Sequence, residues 1–141
     1  MAAIIGDYAH TLDAKGRLFI PAKLRDELGS VFYVTVSPEE CLRVYSSESW
    51  DRLMEKLKAL PYSKQQGLRP LFAKAARCEL DAQGRINLPQ NLRDFAELKK
   101  DVAIVGAGNH AEIWDAGKWT RVMTSEATPE NIAAMMEEFE F

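Results

Sequence analysis

Cysteine is scarce in this chain. Cys41 and Cys78 are the only two in 141 residues, and they do not form a Cys-x-x-Cys pair. This excludes a disulfide framework and a thiolate zinc site of ordinary spacing. The two thiols read as small packed apolar groups in a reducing compartment. No apolar run is long enough to span a bilayer. The first residues, Met1 to Asp7, lack the basic start and apolar stretch of a leader peptide. A cytoplasmic chain with no membrane partner is expected. His10 and His110 stand alone, without carboxylate or cysteine at metal-ligand spacing. There is no nucleophile elbow, P-loop or zincin motif. Gly106-Ala107-Gly108 is not a dinucleotide fingerprint, because Ala111 stands where the third glycine belongs. It reads as a loop between strands. No enzyme, no metal, no cofactor and no small-molecule substrate are expected.

The net charge of −3 speaks against a polyanionic partner only until its distribution is considered. Residues 122–141 contain Glu126, Glu130, Glu137, Glu138 and Glu140 and no lysine or arginine, so the rest of the chain is at +2. Residues 52–77 hold seven cations against Glu55 alone, a balance of +6. Such a stretch is either a solvated helical face or part of an electrostatic footprint.

What is present is a repeat. Residues 12–26, LDAKGRLFIPAKLRD, return as residues 80–94, LDAQGRINLPQNLRD, with nine of fifteen positions identical. Val44-Tyr45 and Trp50-Asp51-Arg52 return as Ile113-Trp114 and Trp119-Thr120-Arg121. The offset grows from 68 to 69 between the blocks. Two copies are too few for a solenoid, so a duplicated unit with an internal pseudo-twofold fits better.

Each copy predicts the same elements. In the first, residues 8–12 form a strand, Asp13-Ala14-Lys15-Gly16 a turn, and residues 17–20 a second strand. Pro21 opens a helix over 22–28 that stops at Gly29. Strands over 31–36 and 41–45 complete the unit. The second copy predicts strands near 76–80, 85–88, 101–105 and 111–114, with a helix from Pro89 to about Leu98. Between the copies, Trp50, Leu53, Met54, Leu57 and Leu60 make one helical stripe ended by Pro61-Tyr62. A further helix from Ser63 is disturbed by Gly67 and Pro70. Near the end, Thr128-Pro129-Glu130 reads as a helix start. Ile132, Met135, Met136 and Phe139 then form an apolar face expected to dock on the body or on a neighbouring chain. The organisation is two units over 7–52 and 76–121, a helical linker over 53–75 and an acidic helix or tail over 122–141.

The element Asp-x-x-Gly-Arg-x-x-x-Pro-x-x-Leu-Arg resembles the signature of SpoVT/AbrB swapped-hairpin DNA-binding modules. Its duplication at this spacing, with Glu112-Ile113-Trp114 late in the second copy, is similar to the MraZ family over residues 7 to about 121. The resemblance implies an α+β, β-rich fold in which two tandem swapped-hairpin units form one pseudo-twofold β-barrel with linking helices and a C-terminal helix. It implies a transcriptional regulator of the division and cell-wall operon. Such a protein binds direct repeats in promoter DNA as a ring-like homo-oligomer and associates with the nucleoid. On this chain Arg17 and Arg85 match the turn arginine, and Arg25 and Arg93 the helix arginine. Asp13, Gly16, Pro21, Asp81, Gly84 and Pro89 match the loop framework. His10 and Thr11, before the motif, and Asp26 and Asp94, after the helix arginines, depart from the AbrB pattern, so exact base contacts do not transfer.

The residue chemistry agrees. An arginine beside a tight glycine turn can grip phosphate or guanine with two parallel hydrogen bonds. It can equally pair with its own turn aspartate and lock the loop. The first copy offers Lys15, Arg17, Lys23 and Arg25; the second has Gln83, Arg85, Asn91 and Arg93. The first copy is therefore expected to dominate contact with double-stranded DNA. The alternative is an antitoxin-like interaction module that engages another protein through the C-terminal helix. The three tryptophans are expected to anchor core or interface rather than stack on bases.

Overall fold

Each copy folds into the same succession of elements. The structure, a computed structural model, describes residues 3–141. The first copy comprises β1 (Asp7–Thr11), β2 (Arg17–Phe19), α1 (Ala22–Leu28), β3 (Val31–Thr35) and β4 (Leu42–Ser46). The second comprises β5 (Ala76–Glu79), β6 (Arg85–Asn87), α5 (Gln90–Phe95), β7 (Asp101–Gly106) and β8 (Ala111–Asp115). Between them run α2 (Ser47–Lys58), α3 (Tyr62–Gly67) and α4 (Arg69–Ala73), and after them α6 (Ala116–Glu126) and α7 (Pro129–Glu138). The class is α+β.

The strands form a six-stranded antiparallel sheet of order β1-β7-β8-β4-β3-β5 and a separate ribbon, β2-β6. The pairing is crossed: β1 of the first copy lies on β7 of the second, and β5 of the second on β3 of the first. Exchanging the copies leaves the strand order unchanged when read from the other end. The registers obey the same exchange. His10 faces Val102 as Cys78 faces Phe32, and Leu42 faces Ile113 as Ala111 faces Val44. The pairs Leu18–Ile86 and Arg43–Glu112 map onto themselves.

Alternation decides the layers. Phe32, Val34, Leu42, Val44, Val102, Ile104 and Ile113 point to one side of the sheet and join Leu18, Ile20, Leu24, Ile86, Leu88 and Leu92 in one core. Leu18 and Ile86 are 0% and 2% exposed although their strands are three residues long. At about 1.5–3 kcal/mol per fully buried side chain, that pair supplies burial neither copy has alone. A unit of about forty residues needs such help.

The other side of the sheet is covered by helices. Trp50 of α2 stacks on Tyr33 at 4.9 Å and meets Phe72 of α4 edge-on at 5.4 Å. Trp119 of α6 tilts against Trp114 at 5.6 Å over a second cluster of Cys41, Ala103, Val105 and Trp114. The tryptophans are anchors, as expected. The caps correspond too: Ser46 Oγ accepts from the Ser49 amide at 3.2 Å, and Asp115 Oδ2 from the Lys118 amide at 3.2 Å. Thus the match of Trp119 and Arg121 to Trp50 and Arg52 marks a second helix, which also runs past residue 121.

Some ends differ from expectation. Pro89 sits at the cap, with an extended ψ of 148°, one residue before α5, as Pro21 (ψ 139°) does before α1, whose bounds are those expected. α5 ends at Phe95 rather than near Leu98, because Glu97 takes a left-handed φ of 52°. Gly29 holds the matching place in the first copy. α2 ends at Lys58, and the chain breaks at Leu68 between α3 and α4, beside Gly67 and Pro70. The Gly106–Gly108 segment does link two strands, and Ile4 pairs with Gly108 there. The α7 face does not dock on the body of its own chain: Ile132, Met135, Met136 and Phe139 are 46–62% exposed.

Candidate nucleic-acid interface

The two turns are built alike, and aspartate builds them. Asp13 Oδ1 accepts from the Lys15 amide at 3.0 Å and the Arg17 amide at 2.8 Å, and the Asp13 carbonyl from the Gly16 amide at 3.0 Å. Asp81 repeats this with the Gln83 and Arg85 amides at 2.9 Å each and the Gly84 amide at 3.0 Å. The second carboxylate oxygen takes the arginine side chain: Arg17 Nε at 2.6 Å and Arg85 Nε at 3.0 Å. The backbone amide of the arginine is the first cause that holds each aspartate below its ordinary pKa. Both aspartates are therefore ionised at neutral pH, and each guanidinium is oriented before any ligand arrives. The locking role and the ligand role are compatible, because the lock uses the Nε edge.

The ribbon gathers the two arginines. Arg17 pairs with Asn87 and Phe19 with Arg85. With a side-chain period of two, Arg17, Phe19, Arg85 and Asn87 share the outward face, opposite buried Leu18 and Ile86. The two arginine Cα atoms are diagonal neighbours, about 7–8 Å apart by ladder geometry. Their side chains are 37% and 29% exposed. One end of the guanidinium differs between copies: Arg85 Nη2 also donates to Gln83 Oε1, whereas Lys15 cannot accept such a bond from Arg17. Phe19 and Asn87 were not singled out as site residues from sequence. The alternation in Arg17-Leu18-Phe19 is the signal that places them beside the arginines.

The other expected residues divide into two groups. Lys15 is exposed on the first turn, and Lys23 is exposed on α1. Arg25 and Arg93 are half-buried, and neither projects freely. Each guanidinium lies against the turn glycine of the opposite copy, Arg25 at Gly84 and Arg93 at Gly16. Arg25 also sits over the Phe19 ring at 5.0 Å, and Arg93 Nε donates to the Leu88 carbonyl at 3.0 Å. Pro21 is buried and Pro89 half-buried, each turning the chain from ribbon to helix.

The basic stretch over 52–77 lies elsewhere. Its helices cover the side of the sheet away from the ribbon, as α6 does. The acidic tail starts on that far layer too.

Other titratable clusters offer less. Buried His110 is 2.9 Å from Glu112 and 2.7 Å from Asn109 through its two ring nitrogens, while His10 lies apart on β1. Ligand atoms of Glu39, Cys41 and Glu112 lie within 4.8 Å of one another. Burial pushes the Cys41 thiol up to about 12, so it stays protonated at neutral pH. Glu112 is already committed to His110 and Trp114. Burial likewise raises Cys78 to about 11. Among the described residues no helix is long and apolar enough to cross a membrane.

The fold and its paired turns define a tandem swapped-strand module that presents two aspartate-braced arginines on one ribbon. A family model described as "MraZ protein, putative antitoxin-like" matches residues 3–67 and 71–139. The chain is 46% identical over 139 residues to the "Transcriptional regulator MraZ" of Carboxydothermus hydrogenoformans, covering 96% of this chain and 97% of that one. It is 45% identical over 141 residues to the protein of that name from Heliobacterium modesticaldum, covering 96% and 98%. A solution structure of a Pyrococcus horikoshii protein, at 17% identity and a TM-score of 0.35 over 76% of this chain and 92% of that one, is too remote to argue from. The chain belongs to the MraZ family, a family of transcriptional regulators rather than enzymes.

Proposed function

We propose that this chain is a transcriptional regulator that grips double-stranded DNA with the outward face of the β2–β6 ribbon. The observation that carries this reading is the pair of turn arginines on one exposed face, each held in orientation by a carboxylate. A pre-oriented guanidinium loses little entropy on binding phosphate or a guanine edge. Lys15 and Lys23 add phosphate contacts, so the first copy dominates. If one chain neutralises about three phosphates, the logarithmic salt slope is about −2.7, larger in proportion for an engaged assembly. The exchange-invariant strand registers support the finer architecture, in which ribbon and sheet close into one pseudo-twofold barrel over the units 7–52 and 76–121.

Affinity for DNA then comes from several chains on repeated sites. The family resemblance supports direct repeats in the promoter of a division and cell-wall operon, a ring of copies, and a cytoplasmic protein at the nucleoid. The exposed apolar face of α7 supports self-association, and α7 follows α6, which covers the side of the sheet away from the ribbon. The same face favours a second reading, an antitoxin-like chain whose 122–141 segment engages another protein. Gel shift on the chain's own upstream DNA tests the main reading. Wild type binds and Arg17→Ala and Arg85→Ala lose affinity; intact binding by both variants overturns the site. Deletion of 127–141 separates the two uses of α7: loss of assembly size supports self-association, and unchanged size with loss of a captured protein supports the second reading.

A further inference from the structure

The helix arginines are placed for a purpose other than the direct contact their sequence position suggests. A Cβ built on Gly84 would lie 2.5 Å from Arg25 Nη1 and 2.9 Å from its Cζ. One built on Gly16 would lie 2.8 Å from Arg93 Cζ and 2.9 Å from its Nη2. Each guanidinium therefore lies in the space a side chain on the opposite turn would fill. The backbone is tied the same way: the Ile20 amide donates to the Gly84 carbonyl at 3.0 Å and the Leu88 amide to the Gly16 carbonyl at 2.8 Å. Arg25 Nε is shielded from solvent and has no hydrogen-bond partner among the described residues. A flat cation that gives up a donor in this way is held by packing on glycine and on the Phe19 ring rather than kept ready for a ligand.

We infer that Arg25 and Arg93 are positioning residues that work across copies: Arg93 of the second copy holds the Asp13–Arg17 turn, and Arg25 of the first holds the Asp81–Arg85 turn. The inference rests on the proposed DNA face only for its binding consequence. That consequence is inverted from the charge count. The cation-rich turn of the first copy depends on an arginine of the cation-poor copy, so Arg93 outweighs Arg25 in binding. It also accounts for glycine at both turns beyond the left-handed φ of 83° and 79°: only a residue without Cβ leaves room for the opposite guanidinium.

Hydrogen–deuterium exchange on the full-length protein tests the crossing without DNA. Arg93→Ala speeds amide exchange in a peptide covering residues 13–18 and leaves one covering 81–86 unchanged; Arg25→Ala does the reverse. Faster exchange only in the variant's own copy, or equally in both turns, overturns the inference. Binding to the upstream DNA supplies the second readout. Arg93→Ala weakens it by roughly tenfold, is sub-additive with Arg17→Ala and additive with Arg85→Ala. Arg93→Lys retains the charge but not the flat group and does not rescue; rescue by lysine, or additivity with both turn arginines, identifies a plain phosphate contact and overturns the positioning role. Crossed exchange with no binding by any protein, wild type included, supports the crossing and refutes the DNA reading instead.

Discussion

The two copies share a backbone plan and differ in what they add to it. The first adds Lys15 on its turn and Lys23 on α1; the second has Gln83 and Asn91 at the matching positions, and Gln83 closes on its own arginine. The first sends its trailing helices back over the sheet, where Phe72 meets Trp50 and the Leu71 carbonyl accepts from Thr35 Oγ at 2.5 Å. The second ends in α7, whose apolar face is left largely exposed. The first leaves its helix through glycine, the second through Glu97 in a left-handed conformation. The lesson is a division of labour: the shared residues make the frame, and on the proposed DNA reading the unshared ones make one copy the main cationic donor and the other the carrier of an exposed apolar surface.

The comparison breaks first at the shared core. Leu18→Ala and Ile86→Ala should each cost about 2–5 kcal/mol, and by similar amounts, as measured by chemical denaturation. A large cost at one and none at the other would deny the copies equal shares in the core. Alanine at the turn glycines should cost about 1–3 kcal/mol from backbone strain, and Gly16→Ala more than Gly84→Ala. At Gly16 the new Cβ meets the Leu88 carbonyl at 2.9 Å, a backbone atom, whereas at Gly84 it meets only side-chain atoms of Arg25, which yield at lower cost than backbone. In DNA binding, Arg17→Ala should lose about 1–3 kcal/mol. Converting Lys15→Gln with Lys23→Asn should reduce the salt slope by roughly two phosphates' worth, and adding lysines by Gln83→Lys with Asn91→Lys should raise it by a similar amount.

Acid supplies a gentler test. Asp13 and Asp81 are held below their ordinary pKa, so their contribution to stability is present above the unfolded aspartate value and lost as pH falls through the lower folded value. Amide exchange at the turns should stay slow as pH falls to the ordinary aspartate range and quicken only beneath it, in both copies together. Smallest of all, Met136→Ala should change monomer stability by no more than about 0.5 kcal/mol, because its side chain is exposed. It should still reduce assembly size in light scattering.

Much of this was legible. The short runs over 17–20 and 85–88 marked the ribbon strands, and the repeat marked both turns with their aspartates and glycines. Helix ends were less legible, because Glu97 adopts a conformation glycine usually occupies. The placement of Arg25 and Arg93 was not legible at all. Both stand on the exposed side of a short amphipathic pattern, and only the packing of one copy's helix on the other's turn reveals what they touch.

The order of residues alone determined the elements, the duplication and the chemistry of each turn, because these depend on neighbours a few positions away: an aspartate four residues before its arginine, a glycine between them. Which strand pairs with which, and whose arginine covers whose glycine, was decided only in three dimensions. A residue at position 93 meets one at position 16 because burying Leu18 against Ile86 brings the two ribbon strands together, and local sequence carries no record of that distant contact.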